Sequence, residues 1–265
     1  MPELELGPNL VIHYLDLNPQ SSRTVLLLHG LGVDCTSWQL QMPPLVAAGF
    51  RVVAPDARGF GKSTYPGGRL NIASMAADVA NLLQSLQVGP AHVVGISMGG
   101  THALQLALDY SNLVDKLVLV NTFARLQPDR LSGWFYFALR FVLAHTVGLT
   151  SQARRVAHHL FPGSDQQELR RFIIDQIAQA DPRGYRAAMR ALAFFDVRLR
   201  LKEIITPTLV ITAENDRSIS PKNQHILADR IPNARQVIIP GAGHAVTVDQ
   251  AGLFNQFLID FLLYG

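Results

Sequence analysis

Short, mostly apolar runs alternate along the chain with stretches in which apolar side chains recur every three or four positions. The runs cover 24–29, 51–55, 92–96, 116–120, 208–212 and 236–239, with Gly, Pro or Asp close by as punctuation. Such runs lack a strict polar alternation, which predicts strands buried on both faces. Two earlier segments, 4–6 and 11–15, predict an antiparallel hairpin at one edge. Between the runs, Met75, Val79, Leu82, Leu83 and Leu86 mark one face of a helix that Gly89-Pro90 would stop. Leu104, Leu106, Ala107 and Leu108 continue a helix opening at Met98, and Leu253, Phe254, Phe257, Leu258 and Phe261 make a C-terminal amphipathic helix. Strand and helix in alternation predict an α/β fold, a mostly parallel sheet with helices on both faces.

The rhythm breaks once. After Val120 no strand pattern returns until Thr208, and the interval has helical composition punctuated by Gly133, Gly148, Pro162-Gly163 and Pro182. The expected organisation is a core domain of residues 1–122 and 201–265, with residues 123–200 inserted as several short helices. Open α/β sheets bind ligands outside the carboxyl ends of their strands. An insert after a central strand would therefore cap the site.

Composition narrows the class. Hydrophobic residues make up 48% and charged residues 16%, the latter below the usual quarter or so, which fits buried strands and argues against a disordered protein. The net charge of +3 is too small to indicate nucleic-acid binding. It is unevenly spread, because residues 125–200 hold twelve Arg, no Lys and six Asp or Glu, a surplus of +6. That surplus reads either as solvated helix faces or as a basic rim that attracts anionic substrates. A single cysteine, Cys35, leaves no intramolecular disulfide. The start carries no basic, apolar leader pattern. The apolar stretch 131–149 holds Arg140 near its centre, which disfavours a membrane span. The expectation is a cytoplasmic protein with no stable membrane insertion.

The chemistry begins with Gly95-Ile96-Ser97-Met98-Gly99, a G-x-S-x-G pentapeptide placed between a strand pattern and a helix pattern. In that setting the serine sits on a tight turn, exposed above the sheet beside the positive end of the helix. A serine hydroxyl needs a base, and the base needs an orienting carboxylate. His244, in Gly241-Ala242-Gly243-His244 after the last strand run, combines a loop position with the order serine, acid, histidine. The acid should end the preceding strand, which makes Asp216 the leading candidate, with Glu214 and Asp196 behind it. Two backbone donors for an oxyanion are expected from Met98 and from Leu31 in His29-Gly30-Leu31-Gly32. The His29 side chain is expected to brace that turn. Trp134, Phe135, Phe137 and Phe141 form either the core of the insert or part of an acyl pocket.

Gly59-Phe60-Gly61-Lys62-Ser63 ends like a phosphate loop, but Asp56 stands where the first glycine is required. The stretch reads as a turn bracing the sheet. His158-His159 lacks the spacing of a metal site, and no metal is expected.

Together, His29-Gly30-Leu31-Gly32, Asp56-Ala57-Arg58-Gly59-Phe60-Gly61-Lys62-Ser63, Ser97-Met98-Gly99-Gly100, Asp216 and Gly243-His244 resemble the α/β-hydrolase superfamily. Within it the chain resembles the esterase, enol-lactonase and carbon–carbon hydrolase group. The resemblance implies an eight-stranded, mostly parallel sheet, a helical cap and no cofactor. The expected activity is serine-dependent cleavage of a carboxylic ester with a small to medium apolar acyl group, with a small-molecule ester or lactone as the partner. Hydrolysis of an enol-lactone or of a carbon–carbon bond in aromatic degradation is the alternative, and a ligand-binding receptor with vestigial activity is a third reading.

Overall fold

The strand runs divide their side chains between two cores. In the computed structural model, which describes residues 2–127 and 131–265, the strands are β1 (Glu3–Gly7), β2 (Leu10–Leu17), β3 (Thr24–Leu28), β4 (Arg51–Pro55), β5 (Ala91–Ile96), β6 (Val114–Val120), β7 (Thr208–Ala213) and β8 (Ala234–Ile239). They form one eight-stranded sheet in the order β1-β2-β4-β3-β5-β6-β7-β8. Only the β1–β2 and β2–β4 pairings are antiparallel. The hairpin therefore occupies one edge, as expected for the two earlier segments.

The helices are α1 (Met42–Ala47), α2 (Ile72–Ser85), α3 (Met98–Asp109), α4 (Leu131–Thr146), α5 (Leu149–Leu160), α6 (Gln167–Gln179), α7 (Pro182–Phe194), α8 (Pro221–Arg230), α9 (Val246–Asp249) and α10 (Ala251–Tyr264). Successive strand residues point to opposite faces. Leu26, Leu28, Val93, Leu117 and Leu119 accordingly pack with Met75, Leu82 and Leu83 of α2 and Leu104 of α3. Their neighbours Val25, Leu27, Val94, Val118 and Val120 pack on the other side with Leu45 of α1 and Phe254, Leu258 and Phe261 of α10. Burial on both faces explains why these strands carry continuous apolar runs. The α2 start is set by Asn71, whose side chain accepts from Ser74 N–H while the Ser74 hydroxyl answers at the Asn71 backbone.

Four helices, α4 to α7, lie between β6 and β7. Gly148 separates α4 from α5, Pro162-Gly163 separates α5 from α6, and Asp181 caps α7 just before Pro182. Gly133 differs from its expected role: it lies inside the first turn of α4 and breaks nothing. The two ends of the insert meet at an isolated β-bridge between Arg125 and Asp196, beside a Val197 N–H to Ala124 carbonyl bond of 3.0 Å. Farther out, α7 presses on the core where Gly59 and Gly184 cross. A Cβ added to either would fall 2.8 Å from the other's Cα. No helix among the described residues is long and apolar enough to cross a membrane.

Asp56 ties the edge of the sheet together. Its carboxylate accepts from Cys35 N–H, Lys62 N–H and the His13 ring, all within 2.9 Å. The Ser63 hydroxyl donates to its carbonyl and accepts from His13 N–H. Burial opposes ionisation of Asp56, but the Lys62 and Cys35 N–H groups that donate to it hold its carboxyl below the ordinary range. Lys62 and Ser63, the end of the phosphate-loop-like stretch, thus brace the sheet through Asp56. His13, Cys35 and Asp56 also bring three metal-ligating atoms within 4.8 Å of one another. Burial pushes the Cys35 thiol far up, and the Asp56 oxygens already serve backbone donors, so the cluster fits a braced turn.

His102 on α3 is a buried imidazole whose Nε2 has no hydrogen-bond partner. Burial pushes it down to about 3. The unfolded chain binds this proton once the pH falls below about 6.5, while the folded protein does not. Stability is therefore full above that value and drains away as the pH falls towards 3, by about 1 kcal/mol per pH unit from this residue. Replacing His102 by Gln is expected to flatten the acid limb of urea-unfolding midpoints between pH 6 and 4. An unchanged limb would contradict this account.

Candidate active site

Every residue singled out as chemically active lies just past the carboxyl end of a strand. Leu31 follows β3, Ser97 follows β5, Asp216 follows β7 and His244 follows β8. Ser97 occupies a left-handed backbone conformation, φ 54° and ψ −113°, at the cap of α3, a region that non-glycine residues enter only at a cost. The surroundings enforce it. A Cβ on Gly95 would strike the Gly99 carbonyl, and one on Gly99 would strike the Leu28 carbonyl. A Cβ on Gly100 would lie 2.5 Å from the Thr122 side chain. Ser97 N–H donates to the Val120 carbonyl at 2.9 Å, and the Thr122 hydroxyl donates to the Ser97 carbonyl at 2.7 Å. The tightness of the packing, more than the pentapeptide, defines the elbow.

Asp216 and His244 meet directly. Nδ1 of His244 lies 2.8 Å from Oδ2 of Asp216, whose side chain is fully buried. Oδ1 of Asp216 accepts from Ser218 N–H at 2.8 Å and Ile219 N–H at 2.9 Å, and Gln224 Nε2 donates to Oδ2 at 3.2 Å. The two rival acids are elsewhere. Glu214 is exposed and accepts from Gly241 N–H. Asp196 pairs with Arg198 at the neck of the insert.

Around the expected oxyanion donors, Met98 is the first residue of α3, so its N–H has no acceptor within the helix. The turn carrying Leu31 adjoins the serine: a Cβ on Gly30 would sit 3.7 Å from Ser97 Cβ. His29 holds this turn, with Nε2 accepting Ala57 N–H at 2.9 Å and Nδ1 lying 2.8 Å from the Gly30 carbonyl. Accepting at Nε2 leaves the proton on Nδ1, so this ring is neutral. Behind the turn, a Cβ on Gly32 would come within 2.7 Å of Ile177 on α6.

Ser97, His244 and Leu31 line one cavity of about 140 Å³. Its walls are apolar, with Phe123, Leu126, Phe137, Val156, Phe161 and Phe172 prominent. The pocket expectation for the α4 aromatics needs correction. Phe137 lines the cavity, but Trp134, Phe135 and Phe141 are exposed and do not line it. This helix is apolar nearly all round, so periodicity carries little information about which face turns inward. His159, one of the adjacent histidines, stacks on Tyr136 at 4.2 Å. Arg140, also in the cavity wall, is buried and donates to the Tyr185 hydroxyl at 2.9 Å.

Two supporting residues had no local signature. Asn121, buried with φ 43°, donates from Nδ2 to the His244 carbonyl at 2.8 Å and accepts Ala213 N–H at Oδ1 at 2.8 Å. It thereby ties the β6 end to the histidine loop and to the strand that delivers the acid. Gln224 comes from the inner face of α8, and only the folded chain brings it to Asp216.

The model of the alpha/beta hydrolase fold family matches residues 23–251. A protein named putative carbamate hydrolase RutD from Variovorax paradoxus is 34% identical over 257 residues, spanning 95% of this chain and 96% of its own. Among solved structures, the enol-lactonase from Burkholderia xenovorans superposes with a TM-score of 0.89 at 28% identity, covering 98% of this chain and 99% of that one. A thermophilic esterase from Thermogutta terrifontis superposes with a TM-score of 0.84 at 29% identity, covering 96% and 93%. The chain belongs to the alpha/beta hydrolase fold family.

Replacing Asn121 by Ala should remove both amide hydrogen bonds and leave buried backbone groups unpaired, at a cost of about 1–3 kcal/mol. Urea unfolding measures this, and an unchanged midpoint would refute the structural role.

Proposed function

We propose that this chain is a serine hydrolase that cleaves carboxylic esters through an acyl-enzyme. The observation that carries the reading is that His244, held by the buried Asp216, lines the same cavity as Ser97. In this mechanism Ser97 Oγ attacks the substrate carbonyl while His244 takes its proton at Nε2, since Nδ1 is engaged by Asp216. Asp216 keeps the imidazole in that tautomer and stabilises the imidazolium without itself accepting the proton. The tetrahedral oxyanion is received by the N–H groups of Met98 and Leu31. Collapse breaks the ester bond, and His244 returns its proton to the departing alcohol. Water then attacks the acyl-enzyme, giving its proton to His244, which passes it to Ser97 Oγ as the acyl–Oγ bond breaks and the carboxylic acid leaves.

In this reading residues 123–200 form a cap. Phe137, Val156, Phe161 and Phe172 from that segment supply much of the cavity wall, so the cap accommodates an apolar methylene chain and excludes water. Lactone cleavage is the second reading, supported by the likeness to the Burkholderia enol-lactonase. A carbamate, as in the name of the Variovorax relative, presents a comparable carbonyl to the same groups.

Hydrolysis of p-nitrophenyl esters tests the assignment. Replacing Ser97 by Ala should lower kcat/KM by about a million-fold or to background. The Asp216→Asn change should cost about ten thousand-fold, whereas Glu214→Gln should cost little. Full activity in the Ser97 variant, or loss only at Glu214, would overturn the assignment.

A further inference from the structure

Arg140 is the one cation in the wall of the cavity that holds Ser97, among the described residues. It is 8% exposed, and among the described residues it has no carboxylate within salt-bridge distance. Its neighbours are aromatic and neutral. Nη2 donates to the Tyr185 hydroxyl at 2.9 Å, and the guanidinium carbon lies 5.6 Å from the Tyr136 ring centre and 6.0 Å from that of Phe137. Its Nε–H is buried with no hydrogen-bond partner. A guanidinium remains charged under all relevant conditions, and burying such a charge without a counter-ion is costly. A leucine or methionine would fill the same wall without that cost. Among the described residues the guanidinium is thus held by the Tyr185 and Tyr136 hydroxyls and aromatic faces, with no counter-ion.

We propose that Arg140 binds a carboxylate at the far end of the acyl chain, so that the substrates are half-esters, or lactones with a pendant carboxylate, rather than neutral esters. The inference rests on the acyl-enzyme reading given above. Two observations put the carboxylate on the acyl side. The alcohol must leave beside His244, which protonates it, and His244 also lines a wider cleft of about 850 Å³ whose rim includes exposed Asp165, Glu168, Asn215 and Arg217. The acyl part is then left to the apolar cavity where Arg140 is buried. The apolar walls accommodate the intervening methylenes, and the planar donor fork recognises two carboxylate oxygens. This gives the arginine surplus of residues 125–200 a specific member with a chemical task, distinct from the solvated arginines on the outer faces.

The experiment compares mono-p-nitrophenyl glutarate with p-nitrophenyl pentanoate, a neutral ester of similar chain length. The wild-type enzyme should prefer the glutarate half-ester in kcat/KM. In Arg140→Gln that preference should fall by ~10–100-fold, chiefly through KM, as expected for loss of a charge-assisted pair. Arg140→Lys should retain part of it. Free glutarate should inhibit the wild type competitively and raise its melting temperature, whereas pentanamide should do neither. A wild-type preference for the neutral ester, absence of glutarate binding, or a preference unchanged in Arg140→Gln would overturn the proposal. Should the Gln variant fail to fold, wild-type selectivity and glutarate competition decide it. The melting shift is independent of turnover and is measured also in Ser97→Ala. Failure of the hydrolase reading appears instead as ester cleavage that survives Ser97→Ala.

Discussion

The crossing of α3 over the ends of β3 and β5 constrains everything else in this protein. Helix and strands approach so closely that Gly95, Gly99 and Gly100 have no room for a Cβ. Ser97 is caught at the point of the crossing with its backbone in a left-handed conformation. The strain there is local, and the forces that hold it are not. It is balanced by strands buried on both faces, by the Thr122 hydroxyl on the Ser97 carbonyl, and by α3 packing into the core. A rigid hydroxyl at one fixed place then sets where the other groups have to arrive.

Those groups arrive on loops, and each loop is tethered by a hydrogen-bonding residue that is not itself reactive. His29 holds the turn beside the serine, Asn121 holds the histidine loop, and Gln224 joins two backbone N–H groups in fixing the acid. Loops alone would be too mobile to keep reacting atoms within hydrogen-bond reach. On the proposed reading, the chemistry thus depends on an outer layer of neutral polar side chains as well as on the charged ones.

The sheet was readable from the sequence because burial on both faces writes the same message at every strand position. Each expected run, from 24–29 to 236–239, falls on a strand with ends differing by at most a few residues. The placement of Ser97, Asp216 and His244 past strand ends, with Asp216 paired to His244, was readable because chain order and strand ends constrain it. Asn121 and Gln224 were not, since their partners lie far away in sequence and neither departs from ordinary composition. The α4 aromatics failed for another reason. Apolar residues surround that helix, so no stripe distinguishes Phe137, which faces the cavity, from Trp134, which faces solvent. Arg140 was visible only as a charge in an apolar stretch, and its meaning came with its neighbours.

The neck between Arg125 and Asp196 has an evolutionary consequence. Because the chain leaves the sheet and returns to it side by side, the segment between can lengthen, shorten or be exchanged without shifting the register of β6 against β7. On the proposed reading, substrate choice is thereby separated from catalytic geometry: one part of the molecule can drift towards a new substrate while the other is held fixed by its crowded glycines. Proteins built on this plan can diverge in what they accept long before they diverge in how they react.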